Sequence, residues 1–269
     1  TSNSGSGESK ARYHEWQTDT LAAAAENAQI EGDDSPAALA VTPTSRTGNY
    51  TQILRKVFTI SATQELVDKA GRKSEISYQT QKYLEELAKD IEWACVINSA
   101  SASGASGTAR KMLGVYGWIT TNVTTGTGTG NEALTESMLN DNLQLIWAQG
   151  GKPQTVLCGG FQKRKIDAFT TNTRQVEADS KKLVAAVDVY KSSFGTLKVV
   201  LHQQINTTIP GVVMILGEMK LWKKAWLRRP KKEELAKTGD AKKYLVVGEL
   251  TLESRQEKGS GIIKELTTS

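Results

Sequence analysis

The 269-residue chain is poor in the residues on which most catalytic and metal chemistry depends. Its two cysteines, Cys95 and Cys158, are too few for a disulfide framework and lack the spacing of a zinc site. Its two histidines, His14 and His202, stand in no nucleophile-elbow or comparable context, so a Ser-His-Asp arrangement has little to draw on. His14 falls in an acidic segment, and His202 ends an apolar stretch where a structural role is the simpler reading. No HExxH, EF-hand or Walker sequence occurs. No apolar run approaches the ~18–20 residues that a membrane-spanning helix needs; the longest, Gly211 to Leu216, is strand-sized. Residues 1–10 are rich in Ser and Gly without an apolar core, so no secretory signal is expected there. The chain does not open on Met, which implies upstream processing or residues outside it, and a cytosolic setting is the default expectation.

Two glycine-containing segments invite an anion-binding reading. Gly126-Thr127-Gly128-Thr129-Gly130 lacks both a convincing preceding strand and a phosphate-binding Lys, and reads as a loop. Gly159-Gly160, with Lys163, Arg164 and Lys165 close by, has the better geometry for an anion at a helix N-terminus, but is also an ordinary strand-to-helix turn. No enzyme, cofactor or metal site is expected.

What the chain does contain is 38% hydrophobic and 23% charged residues, enough for a folded core in one large domain or two ordinary ones. Its charge is segregated. Lys220, Lys223, Lys224, Arg228, Arg229, Lys231 and Lys232 fall within thirteen residues that hold no acid, and taking that segment away from the net +5 leaves −2. Between Tyr13 and Ser45 there are six acids and neither Lys nor Arg. Such segregation can steer association, or can mean two solvated surfaces. Trp222 and Trp226 among the basic residues also fit nucleic-acid contact. In an extended strand, however, Trp222, Lys224, Trp226 and Arg228 share one face, which is more often a packed sheet face.

Residues 13–50 carry few large apolar side chains and cannot form a core of their own. Strand-like pieces around His14 to Leu21 and Asn49 to Ile60, with a turn signal at Glu31-Gly32-Asp33-Asp34-Ser35-Pro36, suggest a long two-stranded projecting arm. From Ser74 to Ser99, without Gly or Pro, Ile76, Tyr83, Leu84, Leu87, Ile91, Ala94 and Cys95 recur at helical spacing. They predict one amphipathic helix of ~26 residues capped by Ser74. A second helix is predicted at Glu136 to Gln149, capped by Thr135 and ended by Gly150-Gly151, then a strand at Thr155 to Cys158 and a helix at Phe161 to Phe169. Thereafter the pattern turns to β, with candidate strands at Val187 to Tyr190, Leu197 to His202, Gly211 to Leu216, Lys220 to Leu227, Tyr244 to Glu253 and Gly261 to Leu266. This order is α+β, not alternating α/β.

Several segments in this order resemble one branch of tailed-bacteriophage major capsid proteins. They are Tyr13-His14-Glu15-Trp16-Gln17-Thr18-Asp19-Thr20-Leu21, Glu31-Gly32, and Arg46-Thr47-Gly48-Asn49-Tyr50-Thr51-Gln52-Ile53. Ser61-Ala62-Thr63-Gln64-Glu65, Ala70-Gly71-Arg72 and Leu84-Glu85-Glu86-Leu87-Ala88-Lys89-Asp90-Ile91-Glu92 continue the likeness. Leu235-Ala236-Lys237-Thr238-Gly239-Asp240 and Gly248-Glu249-Leu250-Thr251-Leu252-Glu253 close it. The resemblance implies the Hong Kong 97-type capsid fold. In it, 1–12 would be an N-terminal arm remnant, 13–53 an extended β-hairpin loop, and 54–104 a peripheral domain with its spine helix at about 74–99. Residues 105–210 would be mostly axial domain, and 211–269 late strands shared by both. It implies a structural protein of the virion, assembled in the host cytoplasm into pentamers and hexamers of an icosahedral shell around double-stranded DNA. Scaffolding, portal and decoration proteins are implied partners, and non-specific contact with packaged DNA is compatible with the basic segment. No motif supports carrying over the covalent Lys–Asn cross-links of some relatives. An encapsulin-like compartment and a DNA-binding protein using 220–232 remain the alternatives. The charge segregation leads to one further expectation, that Glu26, Glu31, Asp33 or Asp34 of one subunit lies near Lys223, Lys224, Arg228 or Lys231 of a neighbour. The competing orientation turns the basic segment toward packaged DNA.

Overall fold

The computed structural model describes residues 5–268 except 33, 35–39, 68–70, 72–73, 127–131, 170–188 and 238. Twelve strands and six helices are seen among them, in three sheets. A four-stranded sheet runs in the order β1 (Gly5–Glu8), β10 (Trp222–Glu234), β11 (Ala241–Ser254), β4 (Gln52–Ser61). The short β1 lies parallel to β10, and the other pairs are antiparallel. A six-stranded sheet runs in the order β5 (Val123–Thr125), β12 (Gly261–Lys264), β9 (Val213–Leu216), β6 (Thr155–Cys158), β8 (Gly195–Leu201), β7 (Val189–Ser192). A separate ribbon pairs β2 (Tyr13–Thr18) with β3 (Ser45–Tyr50).

The long helix is α2, Glu75–Ile97, 23 residues and therefore about 35 Å. Ser74 caps it as expected, its Oγ accepting the Ser77 N–H at 3.3 Å. A second cap comes from Glu65 on the five-residue α1 (Ala62–Leu66), whose carboxylate accepts the N–H groups of Glu75 and Ile76 at 3.0 and 3.2 Å. A negative group there also complements the helix dipole. Leu87, Ile91, Ala94 and Cys95 form the buried stripe. They pack against alternate residues of β4 and β11, with the Phe58 and Tyr83 rings stacked 4.9 Å apart.

The run Val213–Leu216 is buried throughout because it faces two cores. Met214 and Leu216 join the α2 core, while Val213 and Ile215 join a second one with Leu139, Leu143 and Ile146 of α4 (Glu136–Ala148) and Ile166 of α5 (Gly160–Phe169). Neighbouring β12 divides its side chains in the same way, Ile262 to the first core and Ile263 to the second. An unbroken apolar run is the pattern for a strand covered on both faces.

Three expectations are corrected. The predicted strand from His14 stops at Thr18, and pairing in the arm covers only Tyr13↔Tyr50 to Thr18↔Ser45. Beyond it the described residues form no strand, as expected where Ala-rich sequence offers no cross-strand apolar pairs. The predicted Asn49–Ile60 strand is broken at Thr51, whose N–H leaves the ladder to bond the Arg12 carbonyl at 2.9 Å. The predicted Leu197–His202 strand ends at Leu201, because His202 caps the short α6 (Gln203–Thr208). The Gly-rich loop lies outside the described residues except Gly126, as does the start of the strand predicted at Val187.

His202 is also a pH-sensitive joint. Its Nδ1 accepts the Ile205 N–H at 3.3 Å, and its Nε2 stands 3.2 Å from Glu92 on α2. Burial holds its pKa below the ordinary value, against the opposing pull of Glu92. The folded state therefore takes up the proton less readily than the unfolded chain. Its contribution is intact above about pH 6.5 and is lost as pH falls through the depressed folded value. His202→Asn, which retains a capping side chain, is expected to flatten the stability–pH curve below about pH 6.5. Denaturant midpoints across that range test it, and parallel curves for variant and parent would refute it.

Candidate interaction surfaces

The acidic loop is anchored by polar contacts at its base. Buried Asn49 donates to the carbonyls of Leu113 and Leu252 at 3.0 and 2.8 Å and accepts the Leu113 N–H at 2.9 Å. Trp16 Nε1 donates to the Ser254 carbonyl at 3.0 Å, and His14 Nε2 stands 3.4 Å from Glu253. At the centre lies Glu249, 3% exposed. Its carboxylate accepts from Thr51 Oγ1 at 2.8 Å, from Arg228 through Nε at 3.2 Å and Nη2 at 3.1 Å, and from Arg110 Nη2. Arg110 Nε also donates to the Thr51 carbonyl at 2.7 Å. A buried carboxylate held by two guanidiniums is thus the knot joining the loop base, the 99–114 connection, β10 and β11.

Above this base the described part of the loop stands open. Leu21 is 100%, Val41 93% and Ile30 79% exposed. Glu26 and Glu31 are exposed on it, and the turn expected at Glu31-Gly32 is present, with Gly32 in the left-handed region at φ 81°. Asp34 is described and Asp33 lies outside the described residues.

The basic segment is split between the two faces of its sheet. Opposed residues of paired strands project to the same side. Trp222, Lys224 and Trp226 face Ser254, Leu252 and Leu250, on the α2 side. This explains why Lys224 opposes the burial that pushes the Cys95 thiol up to about 12. Lys232 faces Val246 on the same side and lies 5.0 Å from the Tyr244 ring centre. Leu227 is an extra residue in the register, and a second irregularity falls around Pro230, which cannot donate to the ladder. The first of these bulges turns Arg228 to the outer face opposite Glu249, and Lys231 follows it there opposite Val247. The shared face expected for Trp222, Lys224, Trp226 and Arg228 therefore ends at Trp226. Arg228 is committed to Glu249, and Lys231 pairs with Glu233 at 2.5 Å. Trp222 is 2% exposed and its Nε1 donates to Ser260 Oγ at 3.3 Å, so it is part of the core and offers no stacking platform.

The Gly159-Gly160 turn spends its donor within the chain, since the Gly160 N–H bonds Asn206 Oδ1 at 2.9 Å. Lys163 pairs with Asp167 at 3.2 Å. Among the described residues, no group of three or more His, Cys, Asp or Glu could hold a metal, and no helix is long and apolar enough to cross a membrane. The chemistry on offer is that of surfaces: an acidic loop with uncovered apolar side chains, and a sheet with a basic outer face.

The chain is similar to known proteins in sequence and in fold. The chain is 23% identical to the major capsid protein of Escherichia phage Phieco32, over 92% of this chain and 84% of that one. The cyanophage A-1(L) capsid asymmetric unit superposes with a TM-score of 0.67 at 12% identity, covering 97% of this chain and 90% of that one. The SrpI encapsulin of Synechococcus elongatus PCC 7942 is more distant, with a TM-score of 0.58 at 10% identity over 84% and 77% of the two chains. The fold is therefore the α+β fold of Hong Kong 97-type phage capsids. The model of the SU10 major capsid protein matches residues 1–267, so the chain belongs to that family and is a major capsid protein, a structural component of the phage virion.

Proposed function

We propose that copies of the chain form the pentamers and hexamers of an icosahedral shell enclosing double-stranded DNA, with the loop at 13–53 of each subunit lying over a neighbour. The observation that carries this reading is the loop itself. Its apolar side chains Leu21, Ile30 and Val41 are 79–100% exposed within one subunit, and the sequence from Tyr13 to Ser45 holds six acids and neither Lys nor Arg, with Glu15 reaching Arg46 at 3.9 Å. Such a segment gains order by lying against another molecule. In this assignment the four-stranded sheet with α2 is the peripheral domain and α2 its spine. Residues 105–210 form most of the axial domain, and the strands after 211 serve both. The role is structural, without catalysis or cofactor. Scaffolding, portal and decoration proteins complete the assembly, and the shell's inner surface meets DNA without sequence preference.

Sedimentation tests the proposal. Purified chain is expected as large closed particles together with free subunits. Hydrogen exchange at 19–44 is expected to be fast in subunits and slow in particles. Equal exchange in both states would contradict the loop's role. The likeness to an encapsulin makes a cargo compartment the second reading, and particle contents separate the two: nuclease-protected DNA for the phage shell, cargo protein for the compartment.

A further inference from the structure

We infer that the two links joining the four-stranded and six-stranded sheets form a polar lock centred on Ser260, which holds the sheets at one fixed angle. Its consequence for particles rests on the shell reading above. Short links between packed elements are where a hinge would lie. The first link, 217–221, leads from β9 to β10, and the second, 255–260, leads from β11 to β12. The two are tied to each other. The Arg255 N–H donates to the Leu221 carbonyl at 2.9 Å where the links leave the four-stranded sheet. At the other end, Ser260 Oγ accepts from the Gly217 N–H and from Trp222 Nε1, each at 3.3 Å. Ser260 is fully buried, so loss of its hydroxyl would leave both donors without a partner.

The backbones of the links also cross in contact. A β-carbon on Gly217 would lie 2.2 Å from the Gly259 carbonyl oxygen, so only glycine lets the links pass this closely. The second link is in turn fixed to the six-stranded sheet. Buried Asn122 donates to the Lys258 and Ser260 carbonyls at 2.7 and 3.0 Å, and its own carbonyl accepts the Ile262 N–H at 2.9 Å. The Glu257 carboxylate accepts the Thr120 and Thr121 N–H groups at 3.3 and 3.4 Å. Behind the joint the first core is shared, holding α2 residues together with Phe58 and Tyr244 from one sheet and Met214 and Ile262 from the other. Turning one sheet against the other would break satisfied buried hydrogen bonds and open that core at once. The sheets therefore move as one body, and every copy of the chain carries the same angle into a pentamer or a hexamer.

Double electron–electron resonance reads the angle as a distance between spin labels on the two sheets. The labels go on Thr59→Cys of β4 and Lys198→Cys of β8, both at exposed positions. The native thiols stay unlabelled, because Cys95 and Cys158 are buried and burial pushes each up to about 12. Free subunits are expected to give one narrow distance distribution. Particles in which labelled chain is diluted with unlabelled chain are expected to give the same one. Ser260→Ala in folded subunits is expected to roughly double its width. Glu257→Ala, at a partly exposed site, takes its place if Ser260→Ala does not fold. A broad or two-peaked distribution in free parent subunits, a mean distance that shifts on assembly, or a folded joint variant as narrow as the parent would overturn the lock. Parent chain that forms no particles would contradict the shell reading instead, and the free-subunit distances would still decide the lock.

Discussion

Replacing Glu249 with alanine is expected to lower the unfolding free energy of the unassembled subunit by about 3–5 kcal/mol, the cost of breaking a buried ion pair from one side. The magnitude follows from what remains. The Arg110 side chain is 14% exposed and would keep its charge in the interior with only the Thr51 carbonyl to bond. Arg228, with a side chain 46% exposed, can turn to water and contributes less to the loss. Thr51 Oγ1 would lose its acceptor at the break between β3 and β4. A double replacement, Glu249→Leu with Arg110→Met, is expected to recover much of the loss, because a buried pair exchanged for apolar groups of similar size is often close to neutral. Denaturant unfolding of subunits measures both variants. A loss below about 1 kcal/mol for Glu249→Ala, within the range of an exposed pair, would show that the knot is solvated and the burial argument wrong.

Trp222→Ala is expected to cost a similar ~3–5 kcal/mol, the range for truncating a buried large aromatic. The indole is part of the first core, and its Nε1 donor is satisfied by Ser260. Trp222→Phe keeps most of the ring and is expected to cost clearly less. The same pair of variants decides between two roles for the tryptophans of the basic segment. If Trp222 stacked on bases, its loss would spare stability and weaken nucleic-acid binding. With the side chain packed in the core, the variant loses stability first. An unfolding midpoint unchanged by Trp222→Ala would contradict the packing described here.

Local patterns were readable wherever the physics is local. The stripe from Leu87 to Cys95, the Ser74 and Thr135 caps and the Gly150 stop define α2 and α4 to within a residue or two. The apolar run at 213–216 marked a strand, though its two-sided burial between separate cores could be seen only in the fold. What escaped the sequence depends on partners far apart along the chain. Glu249 meets groups 21, 139 and 198 residues away, and no spacing rule connects them. Glu65 caps a helix that starts ten residues later across a turn. The bulge at Leu227 turns Arg228 to the outer face, so strict alternation assigned it to the wrong side, and the second irregularity restores the alternation by Lys231 and Lys232. Pro230 was the one available sign that the ladder is interrupted there. The acidic and basic segments were plain from composition. Which lysines the fold leaves available was not, because ladder register and the bulge decide it.

The central claim, that this chain builds a closed shell through its loop, is tested most directly by electron cryomicroscopy of particles purified from virions or from cells producing the chain. The account predicts closed shells with five- and six-fold clusters of subunits and, in each subunit, density for 19–44 lying on an adjacent copy. Compact monomers alone from both sources, or shells in which that loop lies against its own subunit, would contradict it.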